Sequence, residues 1–205
     1  MLQCTEESTR TQVFHVKHRP ERVRARIIAF ANQKGGVGKT TTAVNLAGEL
    51  ARRGRQVLLI DGDPQGNATT SLGINKGELK ATTYDLLMDE EAAEESIIPS
   101  GRERLELVAA DQDLAGAAVE LTAAERRERR LANAIEQVAG RYDYILIDCP
   151  PSLGLLTLNA LYAADSVIIP LQCEYLALEG LAQLKATLDR VRDGLNPTLR
   201  ILGVV

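Results

Sequence analysis

The stretch NQKGGVGKTT, Asn32 to Thr41, decides how the rest of the chain is read. Its end fits the phosphate-loop pattern G-x-x-x-x-G-K-[ST] through Gly38, Lys39 and Thr40. The position of the pattern's first glycine holds Gln33 instead, and a second lysine, Lys34, follows it. Before the loop lies the apolar run RIIAFA, Arg26 to Ala31, which reads as a buried strand. After it, Lys39 to Arg53 carries Ala43, Leu46, Ala47 and Leu50 at helical spacing, and Gly54 stops it. Strand, glycine-rich turn and helix in that order are the context the motif requires. Glycines let the backbone turn its N–H groups inward around phosphate oxygens, and the helix start adds its positive end. Lys39 is then the residue for the β- and γ-phosphates and the Thr40 hydroxyl a Mg²⁺ ligand. Gly35, Gly36, Val37 and Thr41 complete the expected nucleotide-binding loop. Nothing in this local chemistry explains a lysine at each end of it.

Outward from the loop, strand-like and helix-like segments alternate. Gln56 to Ile60, Leu105 to Ala109, Tyr142 to Ile147, Ser166 to Leu171 and Arg200 to Val205 read as strands. Thr83 to Met88, Ala123 to Ala139, Leu153 to Tyr162 and Leu178 to Val191 read as helices. Continuous apolar strands between helices predict an α/β fold, an open, mostly parallel twisted sheet with helices on both faces. The expected organisation is a flexible basic extension over residues 1–25 and one domain over residues 26–205. Because the chain stops inside an apolar strand, it reads as a fragment, and that strand is expected to lack cover on one face.

Bulk properties exclude little. The chain has 205 residues, a net charge of −4 and 45% hydrophobic residues, as in an ordinary soluble domain. Charge is uneven locally: six Lys or Arg against one acid between Arg10 and Arg26, and only acids among the charged residues between Asp85 and Glu95. Three cysteines, Cys4, Cys149 and Cys173, have no paired spacing, which argues against a disulfide framework. No apolar run approaches the roughly 18 residues a membrane helix needs, so no membrane partner is expected and a cytoplasmic protein is the default. His15 and His18 stand without metal-ligand partners, and the run ERRERR, Glu125 to Arg130, is expected on the wet face of its helix.

Two further segments carry candidate chemistry. In IDGDPQGN, Ile60 to Asn67, Asp61 and Asp63 fall just past a strand end, the edge where open α/β sheets bind ligands. A carboxylate there orients an attacking water, holds a magnesium-bound water, or simply caps a helix. In YILIDCPPS, Tyr144 to Ser152, four apolar residues end in Asp148, the pattern of an acid that meets Mg²⁺. Cys149 beside it reads as a small buried hydrophobe.

Four segments, KGGVGKTTTAVNLA, DGDPQGNAT, ILIDCPPSLGLLTLNAL and PLQCEYLALEGLAQL, together resemble the ParA/Soj partitioning ATPases, a deviant Walker A group of P-loop proteins. They match in order, and the resemblance covers Arg26 to Val205. It implies an answer to the doubled lysine: Lys34 is the group's signature lysine, which crosses a dimer interface to the phosphates held by the partner. It also implies ATP and Mg²⁺ as cofactors, with Asp63 the catalytic acid, Asp148 the Walker B acid, and Thr40, Asp63 and Asp148 around the metal. A homodimer forming with ATP, non-specific DNA and a ParB-like activator protein are the implied partners, and a nucleoid-associated location follows. A ParA-like positioner of protein cargo and a MinD-like division-site ATPase share these motifs. A non-enzymatic reading also stands, an incomplete domain that binds nucleotide weakly. Family members continue beyond position 205, so adenine-pocket and DNA-contact residues are expected outside this chain.

Overall fold

The computed structural model describes residues 24–172, 174 and 177–205. The expected extension lies outside these residues up to position 23, as do Cys4, His15, His18 and Cys173.

In chain order the strands and α-helices are β1 (Arg26–Phe30), α1 (Lys39–Arg52), β2 (Val57–Asp61), α2 (Asn67–Ser71), α3 (Thr83–Met88), β3 (Ile97–Arg102), β4 (Leu105–Val108), α4 (Leu114–Glu120), α5 (Arg130–Val138), β5 (Tyr144–Asp148), α6 (Leu155–Ala163), β6 (Ser166–Ile169), α7 (Ala177–Gly194) and β7 (Arg200–Val204). The strands form one sheet in the order β3-β4-β2-β5-β1-β6-β7. Every pairing is parallel except β3 with β4. The expected mostly parallel sheet is present, with one antiparallel edge strand that local patterning did not reveal. That strand, IIPSGR, contains a proline and a glycine, and Gly101 turns the chain at φ 76°. Proline is tolerated there because an edge strand leaves ladder donors unused.

Side-chain alternation builds two cores. Ile27, Ala29, Leu58, Ile60, Ile145 and Ile147 point to the face covered by α3 to α7. Ile28, Phe30, Val57, Leu59, Leu107 and Leu146 point to the face covered by α1 and α2. Because both faces are buried, the strands read as unbroken apolar runs. The buried stripe of α1 is Ala43, Val44, Ala47 and Ala51, so the helix lies close to the sheet on small residues. Leu46 and Leu50, expected on that stripe, flank it and line an open groove with Ile28, Ile201 and Leu202. β7 is correspondingly uncovered: Leu202 is 60% exposed and Val204 50%. The expected lack of cover over the last strand is observed.

One helix differs from expectation. Ala123 to Ala139 is not continuous; residues 121–123 form a 3-10 turn and α5 begins at Arg130. Arg126 takes φ 52°, a left-handed conformation that breaks a helix, so ERRERR forms the turn before α5, with only Arg130 inside the helix, and not its wet face. Arg129 lies over the Tyr162 ring and binds its hydroxyl, which fixes that turn onto α6. The acidic run is partly structural: Asp85 closes a capping box with Thr82 on α3, and Glu94 pairs with Arg141.

Candidate phosphate and metal site

The C-terminal ends of β1, β2 and β5 lie side by side. In register, Phe30 and Asp61 each pair with Asp148, so the phosphate loop after β1 opens next to both carboxylates. The chain after β2 leaves no room for a side chain beside β5. The Gly62 N–H donates to the Asp148 carbonyl at 2.9 Å, and a Cβ on Gly62 would stand 2.8 Å from the same oxygen. Only glycine fits there.

The loop itself is shaped for an anion. Gly36 and Gly38 take φ 72° and 88°, conformations that side chains resist. Gly38 starts α1 without any side-chain cap, and the first turn of α1 has no acid. The orphan N–H groups of that turn are therefore left for a ligand. Lys39 is buried and donates to the Lys34 carbonyl at 3.3 Å, which holds its ammonium inside the loop. Val37 is buried, Thr40 half-buried, and Gly35 and Thr41 exposed at the rim. Asn32 braces the loop's start: it accepts from the Lys34 N–H at 3.1 Å and donates to the Pro170 carbonyl at 2.6 Å. Lys34's backbone is held at both its N–H and its carbonyl, and its side chain is 40% exposed. Its ammonium pairs with Glu174, and the pair is on the surface.

The three acids divide by environment. Asp61 is the last residue of β2, not a loop residue past it, and is fully buried. It accepts from the Thr69 backbone at 2.8 Å and hydroxyl at 2.7 Å, which fastens α2 to the sheet. Of the roles open to it, the one observed is structural. Burial pushes its carboxyl up to about 6, opposed by those bonds. Asp63 is also buried; one oxygen accepts from the Gln65 N–H at 3.0 Å, forming a local turn, and Gly66 closes it at φ 60°. Asp148 is the unsatisfied member: both carboxylate oxygens are buried and neither has a hydrogen-bond partner. Burial raises it to about 7; the Thr40 hydroxyl, close but outside hydrogen-bonding geometry, and the Lys39 ammonium act the other way, while Asp61 and Asp63 add to the rise. A buried, unpaired carboxylate is costly unless something cationic or hydrogen-bonding meets it. Magnesium is usually held by one or two protein groups plus phosphate oxygens and water. Thr40 and Asp148 supply that kind of donor set. Among the described residues no three His, Cys, Asp or Glu side chains converge as a closed metal cage. Cys149 is buried as expected, and burial drives its thiol well above the ordinary range.

Thus Lys39, Thr40, Asp63 and Asp148 come together at one sheet edge, while the Lys34 ammonium is paired with Glu174 at the surface. Sequence reasoning missed Asn32, Gln172 and Glu174, which hold the loop from outside. Gln172 and Glu174 follow β6 at the ligand-binding edge of the sheet, and that position was the signal available.

A family profile described as an AAA domain matches residues 25–201. The chain is 56% identical over 180 residues to the chromosome partitioning protein ParA of Myxococcus xanthus strain DK1622, covering 88% of this chain and 64% of that protein. It therefore spans just under two thirds of that relative's length. It is 55% identical over 180 residues to the sporulation initiation inhibitor protein Soj of Bacillus subtilis strain 168, covering 88% and 71%. Among solved structures it superposes with a TM-score of 0.84 and 42% identity on a Mycobacterium smegmatis protein, described as cobyrinic acid a,c-diamide synthase with bound ADP and magnesium, covering 88% and 74%.

Proposed function

Since the chain belongs to the ParA/Soj family of P-loop proteins, we propose that it is an ATP-dependent dimerising switch that binds DNA without sequence preference and hydrolyses ATP to drive chromosome or plasmid partitioning with a ParB-like partner. The observation that carries the chemistry is the orphaned Asp148 carboxylate beside an uncapped helix start and a buried lysine. The similar Mycobacterium structure with ADP and magnesium supports ATP and Mg²⁺ as the ligands here.

In this reading the loop N–H groups from Gly35 to Thr41 and the start of α1 bind the phosphates, and Lys39 neutralises charge on them from within the subunit. Magnesium, held by Thr40 and facing Asp148, would neutralise charge that develops between the β- and γ-phosphates. Asp63 accepts a hydrogen bond from the attacking water and orients it. Lys34 meets the phosphates held by a second copy of the chain, the work an arginine finger does elsewhere. Two lysines then serve two nucleotides. DNA binding by lysines and arginines would be salt-dependent, and the nucleoid is the corresponding location. No helix among the described residues is long and apolar enough to cross a membrane.

The test is nucleotide affinity measured beside sedimentation with ATP. Lys39→Ala is expected to abolish nucleotide binding. Lys34→Ala is expected to keep it and to block ATP-dependent dimerisation. Asp63→Ala is expected to give dimers that form with ATP and persist. Equal loss of affinity in the two lysine variants would overturn the assignment of Lys34 to the partner's nucleotide.

A further inference from the structure

The segment that leaves β6 grips the phosphate loop from outside at two points. The Gln172 amide donates to the Gly36 carbonyl at 3.0 Å, and Glu174 pairs with the Lys34 ammonium, 140 residues away in sequence. The segment is itself anchored, because the Pro170 carbonyl accepts from Asn32 and the Leu171 N–H donates to Val205 at 2.6 Å. Lys34's backbone has both its groups engaged within the loop. Its ammonium is engaged by Glu174 and not by the loop.

We propose that Glu174 is a latch on Lys34, a positioning residue that keeps the lysine neutralised by its own subunit until dimerisation offers it phosphate instead. The proposal rests on the reading that Lys34 acts on the partner's nucleotide. An ammonium shared with a carboxylate presents less positive charge to an approaching anion. Its exchange from Glu174 to a triphosphate is favoured because the new partner carries more charge and more acceptor oxygens. The latch must also be weak enough to open. The side chains of Lys34 and Glu174 are 40% and 54% exposed, so the pair is solvent-screened. An ion pair of this exposure shifts an equilibrium by a factor of roughly 1.4 to 5. Forming one dimer opens two latches, so releasing both should tighten the dimer by roughly 2- to 30-fold. The latch therefore sets a threshold concentration for dimerisation without forbidding it.

The experiment is sedimentation over a range of protein concentrations, with a non-hydrolysable ATP analogue at saturation, on the intact chain and on Glu174→Gln, Glu174→Lys, Lys34→Ala and the Lys34→Ala/Glu174→Gln double variant. Glu174→Gln, which preserves shape and removes charge, should lower the dimer dissociation constant by roughly 2- to 30-fold. Glu174→Lys should lower it at least as far. The double variant should stay as monomeric as Lys34→Ala alone, since the latch acts only through the lysine. If Glu174→Gln leaves the dimer constant unchanged or weakens it while Lys34→Ala still blocks dimerisation, the latch is refuted and the role of Lys34 stands. If Glu174→Gln strengthens dimers even without Lys34, the latch is refuted too, because the effect does not pass through Lys34. If Lys34→Ala dimerises like the unaltered chain, the reading beneath the proposal fails.

Discussion

Replacing Thr69 by valine should cost the protein more than any single polar contact near the site suggests. Thr69 is fully buried in α2, and its hydroxyl does two jobs. It donates to the Asp61 carboxylate at 2.7 Å and accepts from the Ala110 N–H at 2.9 Å. Valine keeps the shape and removes both. At neutral pH Asp61, with its carboxyl at about 6, is mostly ionised, so the first loss is a hydrogen bond to a charge. Such a bond contributes about 1.5–3 kcal/mol, and an orphaned buried N–H costs about 1–3 kcal/mol. Together they predict destabilisation of about 2.5–6 kcal/mol, a large part of the 5–15 kcal/mol typical of a domain. For a chain of this length that lowers the melting temperature by roughly 5–24 °C. Urea denaturation followed by circular dichroism gives the free energy directly, provided the slope with denaturant is unchanged. Thr69→Ser is the control: it keeps the hydroxyl, loses one methyl, and should cost only about 1 kcal/mol. A Thr69→Val loss below about 1 kcal/mol, or one no larger than the serine variant's, would show that water or a shifted Asp61 satisfies these groups, and the account of the β2 edge would be wrong.

Gly62→Ala would place a methyl 2.8 Å from the Asp148 carbonyl oxygen, a backbone atom that cannot turn aside. It should destabilise by about 1–3 kcal/mol and weaken ATP binding together, read by denaturation and titration; wild-type values in both would refute the close-approach argument. At pH 8, above the raised Asp148 value of about 7, Asp148→Asn should stabilise the nucleotide-free protein by about 1–2 kcal/mol because it removes a buried unpaired charge, while it weakens magnesium-dependent ATP binding. Scanning calorimetry without nucleotide that finds the variant less stable would count against an orphaned carboxylate. Leu202→Lys, on the exposed strand β7, should change stability by less than about 0.5 kcal/mol and raise the concentration at which light scattering reports aggregation. Unchanged aggregation would mean that β7 is not the sticky edge.

The alternation of apolar runs with helical segments carried the sheet, because strands buried on both faces have no polar residues to interrupt them. The loop from Gly35 to Thr40 was equally legible, since its chemistry is written in adjacent residues. Asp148 can be picked out because it ends an apolar run, and Asp63 because it stands just past one, and a strand's end is a local property. The tertiary structure alone decided which ends are neighbours. Strand order and register set Asp148 level with both Phe30 and Asp61. Asp61 looked like a second loop acid until Thr69 and the end of β2 claimed it. The ERRERR run reads as the head of an amphipathic helix because its residue types suit a wet helix face, whereas its path is set by Arg126 at positive φ and by Arg129 on Tyr162. Lys34 announced itself by its position in the loop, but its contact with Glu174 joins residues 140 apart. Pairing over such a distance leaves no periodicity in the chain; it exists only because β6 packs beside β1 and delivers the segment after it to the rim of the loop.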